Sequence, residues 1–105
     1  NVEWVASSAV SLDLEEPELR DGVVRIPVHI DDFDLHRRRL RYAAWESGVH
    51  DAVAAHEVAV VSLHDCYAPH WLDSYPDLLS SLAGTGRPLR TLDEVAADVA
   101  LLASV

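Results

Sequence analysis

Glu57-Val58-Ala59-Val60-Val61-Ser62-Leu63 runs without interruption into His64-Asp65-Cys66-Tyr67. β-Branched residues crowd this run, and its apolar positions do not alternate with polar ones, so it predicts a strand covered on both faces, as in a parallel sheet. Downstream, Asp73 or Ser74 can cap a helix from about Tyr75, with Pro76 in its first turn and Gly84 or Gly86 ending it. Pro88-Leu89-Arg90 is long enough for one short strand. Thr91-Leu92-Asp93-Glu94 has the spacing of a capping box, and it opens a last helix with Val95, Val99 and Leu102 as its apolar stripe. Upstream, Leu35 to about Ala55 is helical in pattern, with Gly48 predicted to divide it and a second helix centred on Val49 to Ala55. Val23 to Val28 follows the Asp21-Gly22 turn and reads as a strand, which Pro27 assigns to an edge or a bulge. Val2 to Ala6 reads as another, separated from it by the acidic loop around Asp13 to Glu18. Strands alternating with helices at this spacing predict a parallel α/β arrangement.

Composition narrows the function classes. A chain of 105 residues, half hydrophobic and a quarter charged, has the size of one domain and enough apolar material for a core. No apolar run approaches the ~20 residues that span a bilayer, and no signal peptide opens the sequence, so a soluble protein, cytoplasmic by default, is expected. A formal charge of −10 repels phosphate backbones, which argues against nucleic acid as a partner. Arg37, Arg38, Arg39 and Arg41 do not reverse this, because Asp31, Asp32, Asp34 and Glu46 flank them as a solvated, charge-paired face. Cys66 is the single cysteine, so neither an internal disulfide nor a multi-cysteine zinc site is available. With Asn1 first and no methionine, the sequence reads as a processed or trimmed chain, a fragment of a larger barrel or sheet, the alternative being a single complete domain over 1–105.

In parallel α/β folds, function collects just past the carboxyl ends of strands. His64 falls there, and it can give or take a proton near neutral pH once an acid holds one of its ring nitrogens. His70 and Trp71 lie in the following loop, where packing is the expected role, within reach of a substrate at His64. Cys66 lacks a basic activator other than His64 or His70. His29, Asp31, Asp32, Asp34 and His36 offer nitrogen and oxygen donors for a metal only if they converge, and strand alternation followed by a helix start works against that. Acids ahead of a helix also stabilise its N-terminus without any metal.

Val60-Val61-Ser62-Leu63-His64-Asp65 resembles the late Leu-His-Asp motif of the polysaccharide deacetylase family, also called the NodB-homology or carbohydrate esterase family 4 fold. The helix with Tyr75-Pro76-Asp77-Leu78-Leu79, the glycine and Thr91-Leu92-Asp93-Glu94-Val95 follow in the family's order, and the similarity covers about Val58 to Ala103. Val2-Glu3-Trp4-Val5-Ala6 looks like the family strand ahead of the last motifs. Val24-Arg25-Ile26-Pro27-Val28, with Asp31-Asp32 after it, resembles an insertion in relatives. The resemblance implies metal-dependent removal of an acyl group, usually acetyl from an amino sugar, with His64 as general acid on the leaving amine. It also implies Leu63 against the acetyl methyl and Trp4 as a groove wall. The fold it implies is the C-terminal part of a (β/α) barrel. The family's H-x-x-x-H is absent, since His29 and His36 are seven apart and His50 and His56 six apart. The divalent metal, zinc being the expected ion, and the aspartate base are then expected from outside this chain, on an upstream segment or partner chain that completes the barrel. The expected substrate is an acylated carbohydrate or small amide. The rival expectation is a non-catalytic barrel remnant that binds a partner or completes an assembly.

Overall fold

The computed structural model describes residues 2–104, and its elements fall into two small sheets with helices packed on them. β1 (Trp4–Ser8), β2 (Glu18–Arg20) and β3 (Val23–Val28) form a mixed sheet in the order β1-β3-β2, with β1 parallel and β2 antiparallel to β3. β4 (Ile30–Asp31) and β5 (Val61–Ser62) form a second, parallel pair in which Ile30 faces Val61 and Asp31 faces Ser62. The helices are α1 (Ala9–Leu12), α2 (Phe33–His36), α3 (Tyr42–Ala55), α4 (Tyr75–Ala83) and α5 (Leu92–Ala103), with two 3-10 segments at Asp65–His70 and Leu72–Ser74.

The expected part of a (β/α) barrel is not formed. The strands make one three-stranded and one two-stranded sheet instead of a closing parallel series, and the Glu18–Arg20 strand runs antiparallel along β3. Closure needs each strand to be paired on both edges, and the candidate strand at Pro88-Leu89-Arg90 pairs with no other strand.

β3 sits in the middle of its sheet even though it contains a proline. The Val24 amide donates to Glu3 O on the β1 side at 3.0 Å, so by alternation the nitrogen of Pro27 faces the β2 side. β2 pairs only as far as Arg25, so the missing N–H falls where no partner strand remains. Proline therefore sets where β2 stops rather than excluding β3 from the centre.

The valine run from Glu57 yields only a two-residue strand, and its hydrogen bonds explain why. The Val58 amide donates to Glu16 Oε1 at 3.1 Å and the Val60 amide to His29 Nδ1 at 3.0 Å. Arg87 takes the carbonyls of Val53, His56 and Glu57. Side chains thus satisfy backbone groups that a neighbouring strand would otherwise take.

Gly48 does not divide the central helix. α3 runs through it, and the position is small because a Cβ there would lie 3.2 Å from Ile30 Cδ1. The break lies earlier, at Arg38, whose φ of 57° turns the chain between α2 and α3. Trp45 of α3 is fully buried and donates its indole N–H to Asp31 O at 2.7 Å, so the helix is anchored to the carboxyl end of β4.

Two apolar clusters result. Val24, Ile26, Val60, Val95 and Ala96 join the first sheet to α5, and Leu35, Trp45, Val49, Trp71 and Leu78 join α2, α3 and α4. The capping box of α5 forms as its spacing predicts, Thr91 Oγ1 accepting from the Glu94 amide and Glu94 Oε1 from the Thr91 amide. Leu102, expected on the buried stripe, is 74% exposed, whereas Val95 and Ala96 are buried. Thr91→Ala removes the cap acceptor and should cost about 1 kcal/mol, read as a lowered urea midpoint with an unchanged slope.

A candidate proton-transfer site

β1, β3, β4 and β5 direct their carboxyl ends toward a cleft of about 390 Å³ bordered by Ser7, Ser8, Asp31, Asp34, Ser62 and His64. His64 comes two residues after β5. Asp32 comes one residue after β4, whose last pairing is Asp31 with Ser62, so parallel register brings the two side chains together. Asp32 is fully buried. Its Oδ1 lies 2.6 Å from His64 Nδ1, and its Oδ2 accepts from the His64 amide at 2.7 Å and from Trp71 Nε1 at 2.9 Å. A buried carboxylate is costly unless such donors surround it.

The charges follow from this geometry. Burial alone would raise the Asp32 pKa, but the hydrogen bonds from the His64 amide, the His64 ring and the Trp71 indole outweigh it and hold the carboxyl below its ordinary value. For His64 the largest effect is the hydrogen bond to Asp32, which raises its pKa against the opposing pull of desolvation, with the negative charges of Asp32 and Asp31 adding to the rise. Because Nδ1–H donates to Asp32, the remaining ring nitrogen, Nε2, is the one that exchanges a proton, and the His64 side chain is 48% exposed. This arrangement can protonate a leaving group at Nε2, and the raised pKa extends the range over which the acid form is present.

The other residues singled out by sequence are dispersed. Leu63 packs at the edge of the cluster around Trp45 and Trp71, directly before His64. Trp4 opens β1, packs against the Val24 cluster and donates its indole N–H to Asp93 Oδ1 at 2.6 Å, which ties the strand to α5. Trp71, expected as loop packing, is buried and also holds Asp32. The donors from His29 to His36 do not converge. Asp31 accepts from the Phe33 amide, Asp32 belongs to His64, Asp34 pairs with Arg39, and His36 stacks on Tyr67. Cys66 is a free, exposed thiol. Asp32 was legible only as one acid in a row of three; its position just past a strand parallel to the His64 strand was the signal that separates it from the others.

Glu16, His29 and His56 bring ligand-type atoms within 4.8 Å of one another. Their hydrogen bonds do not fit a resident metal. His29 Nδ1 accepts the Val60 amide, so Nε2 carries the proton and donates to Glu15 O at 2.7 Å, and both nitrogens are engaged. His56 Nδ1 meets Glu16 Oε2 at 3.1 Å, and the two imidazoles stack with centroids 3.9 Å apart. The trio is a clamp that fastens the acidic loop to the β3–β4 junction and to the start of the valine run.

No protein-family model matches the chain, and neither a curated protein nor a solved structure matches it. Among the described residues, no helix is long and apolar enough to cross a membrane.

Proposed function

We propose that the Asp32–His64 pair is the proton donor of a hydrolytic site that removes an acyl group, acetyl in the simplest case, from the nitrogen of an amino sugar or related amide. The observation that carries this is the half-exposed imidazole on the strand-end cleft, with Nδ1 held 2.6 Å from a fully buried carboxylate. The Leu63-His64-Asp65 resemblance to polysaccharide deacetylases supplies the reaction class. In that reading a divalent metal would supply polarisation of the carbonyl and of the attacking water; its ligands would lie outside this sequence, and no residue of this chain is assigned to it.

The steps belonging to this chain concern one proton. Asp32 orients the ring and stabilises the imidazolium. His64 Nε2–H donates to the amine as the carbon–nitrogen bond breaks, leaving a neutral amine and a neutral imidazole that water reprotonates. Leu63, immediately before His64, supplies apolar surface at the half-buried end of β5.

The pH dependence has a definite sign. A general acid works while protonated, so hydrolysis should decline as pH rises through the His64 pKa, which lies above the ordinary 6.5. The rate of acetate release from an N-acetylated sugar oligomer, measured against pH in the protein that carries this chain, checks it. A descending limb that matches the His64 ring titration by NMR supports the proposal, and a rate indifferent to that titration removes His64 from the mechanism.

A further inference from the structure

A second group of side chains continues from His64 away from the Asp32 pair. The His64 ring lies 5.4 Å from Tyr67, Tyr67 stacks on His36 at 4.2 Å, and Tyr67 and His36 each lie 6.3 Å from Phe33. Phe33 is 39% exposed, and the guanidinium carbons of Arg37 and Arg39 lie over its ring at 5.8 and 5.7 Å. Two arginines two positions apart reach one ring because Arg38 between them adopts a φ of 57°, a conformation that costs a non-glycine residue free energy. Asp34, which borders the cleft, pairs with Arg39 at 3.6 Å, and among the described residues Arg37 has no carboxylate within ion-pair distance. A chain of net charge −10 therefore keeps, at the end of a run of rings that starts at its proton donor, a guanidinium at Arg37 with no carboxylate partner among the described residues.

Exposed cations on an exposed ring add little to folding stability, but the combination has a clear ligand chemistry. Ring faces receive the C–H face of a sugar, and a planar guanidinium presents paired N–H donors to a carboxylate. We infer that the strip from His64 to Phe33, ending at Arg37 and Arg39, is a subsite for an anionic sugar unit, one bearing a carboxylate, adjacent to the unit that is deacylated. The inference rests on the reading of His64 given above and adds the substrate class: an acidic rather than a neutral glycan.

Calorimetric titration with two probes tests it: a hyaluronan tetrasaccharide, in which N-acetylglucosamine alternates with glucuronate, and neutral chitotetraose. The acidic probe should bind roughly tenfold more tightly, an advantage that shrinks with added salt. An Arg37→Ala/Arg39→Ala double variant should lose that advantage without changing chitotetraose binding. Phe33→Ala should weaken both probes, and His64→Ala should leave the preference intact. Equal affinities, no binding of either probe, or inorganic phosphate binding as tightly as the tetrasaccharide would overturn the inference. Acetate release from chitotetraose separates the two readings. If release depends on His64 while the arginine changes leave the preference for the acidic tetrasaccharide unaltered, the subsite fails and the proton donor stands. If the arginines govern binding while His64→Ala leaves release unchanged, the acidic-sugar surface stands and the hydrolytic reading fails.

Discussion

His64→Ala should slow acyl-group release by roughly 10²–10⁴-fold, the usual consequence of removing a positioned acid or base. The fold should survive, because the side chain is 48% exposed and Asp32 keeps two of its three donors, the residue-64 amide and the Trp71 indole. A comparison of kcat and KM identifies the role. Loss confined to kcat marks an interaction made in the transition state, whereas a rise in KM alone marks binding. His64→Gln is the informative companion, since it fills similar space but has no group that titrates near neutral pH and so cannot act as a general acid. If His64→Gln were as active as the parent protein, proton donation would be the wrong account of this residue.

Asp32→Ala should be far more damaging to the fold, destabilising it by about 2–6 kcal/mol, because a fully buried acceptor is lost from two donors that stay in place. Alanine would leave the His64 amide and the Trp71 indole without an acceptor, each worth about 1–3 kcal/mol when buried and unpaired, and would leave a cavity where the carboxylate was. Domains typically have only about 5–15 kcal/mol to lose, so a large drop in the urea midpoint is expected. Asp32→Asn retains the shape and one acceptor oxygen and should cost less. Its informative readout is the His64 titration, which should fall toward the ordinary 6.5 once the carboxylate charge is gone. An unchanged His64 titration in Asp32→Asn would show that the pair is not formed in solution.

The same pair makes stability depend on pH in two directions. His64 has a raised folded-state pKa, so its contribution is complete below the ordinary 6.5 and is lost as pH rises through the folded value. Asp32 has a lowered one, so its contribution is present above the ordinary 3.8 and is lost as pH falls through the folded value. Stability from the pair is therefore greatest in the mildly acidic interval between those limits.

Local chemistry accounts for the elements that sequence alone determined. The α5 start follows from Thr91 and Glu94, which satisfy each other's amides within one turn, and α4 begins with Pro76 in its first turn because that position needs no N–H donor. β3 follows from its β-branched residues after the Asp21-Gly22 turn, and the position of His64 just beyond a strand was readable from the valine run. Tertiary structure decided the rest. The length of β5 depended on Glu16 and His29 capturing amides 42 and 31 residues away, and the helix break moved to Arg38 because Gly48 is where α3 meets Ile30. Absence of a barrel likewise depended on which strand edges met, with β2 running antiparallel beside β3. The partner of His64 was decided in the same way. Asp32 lies 32 residues away, and parallel register between β4 and β5, anchored by Trp45 and closed over by Trp71, selects it from three neighbouring acids with the same side chain. Propensity and capping act over one or two turns of chain, whereas pairing register and burial are set by residues that become neighbours only when the chain has folded.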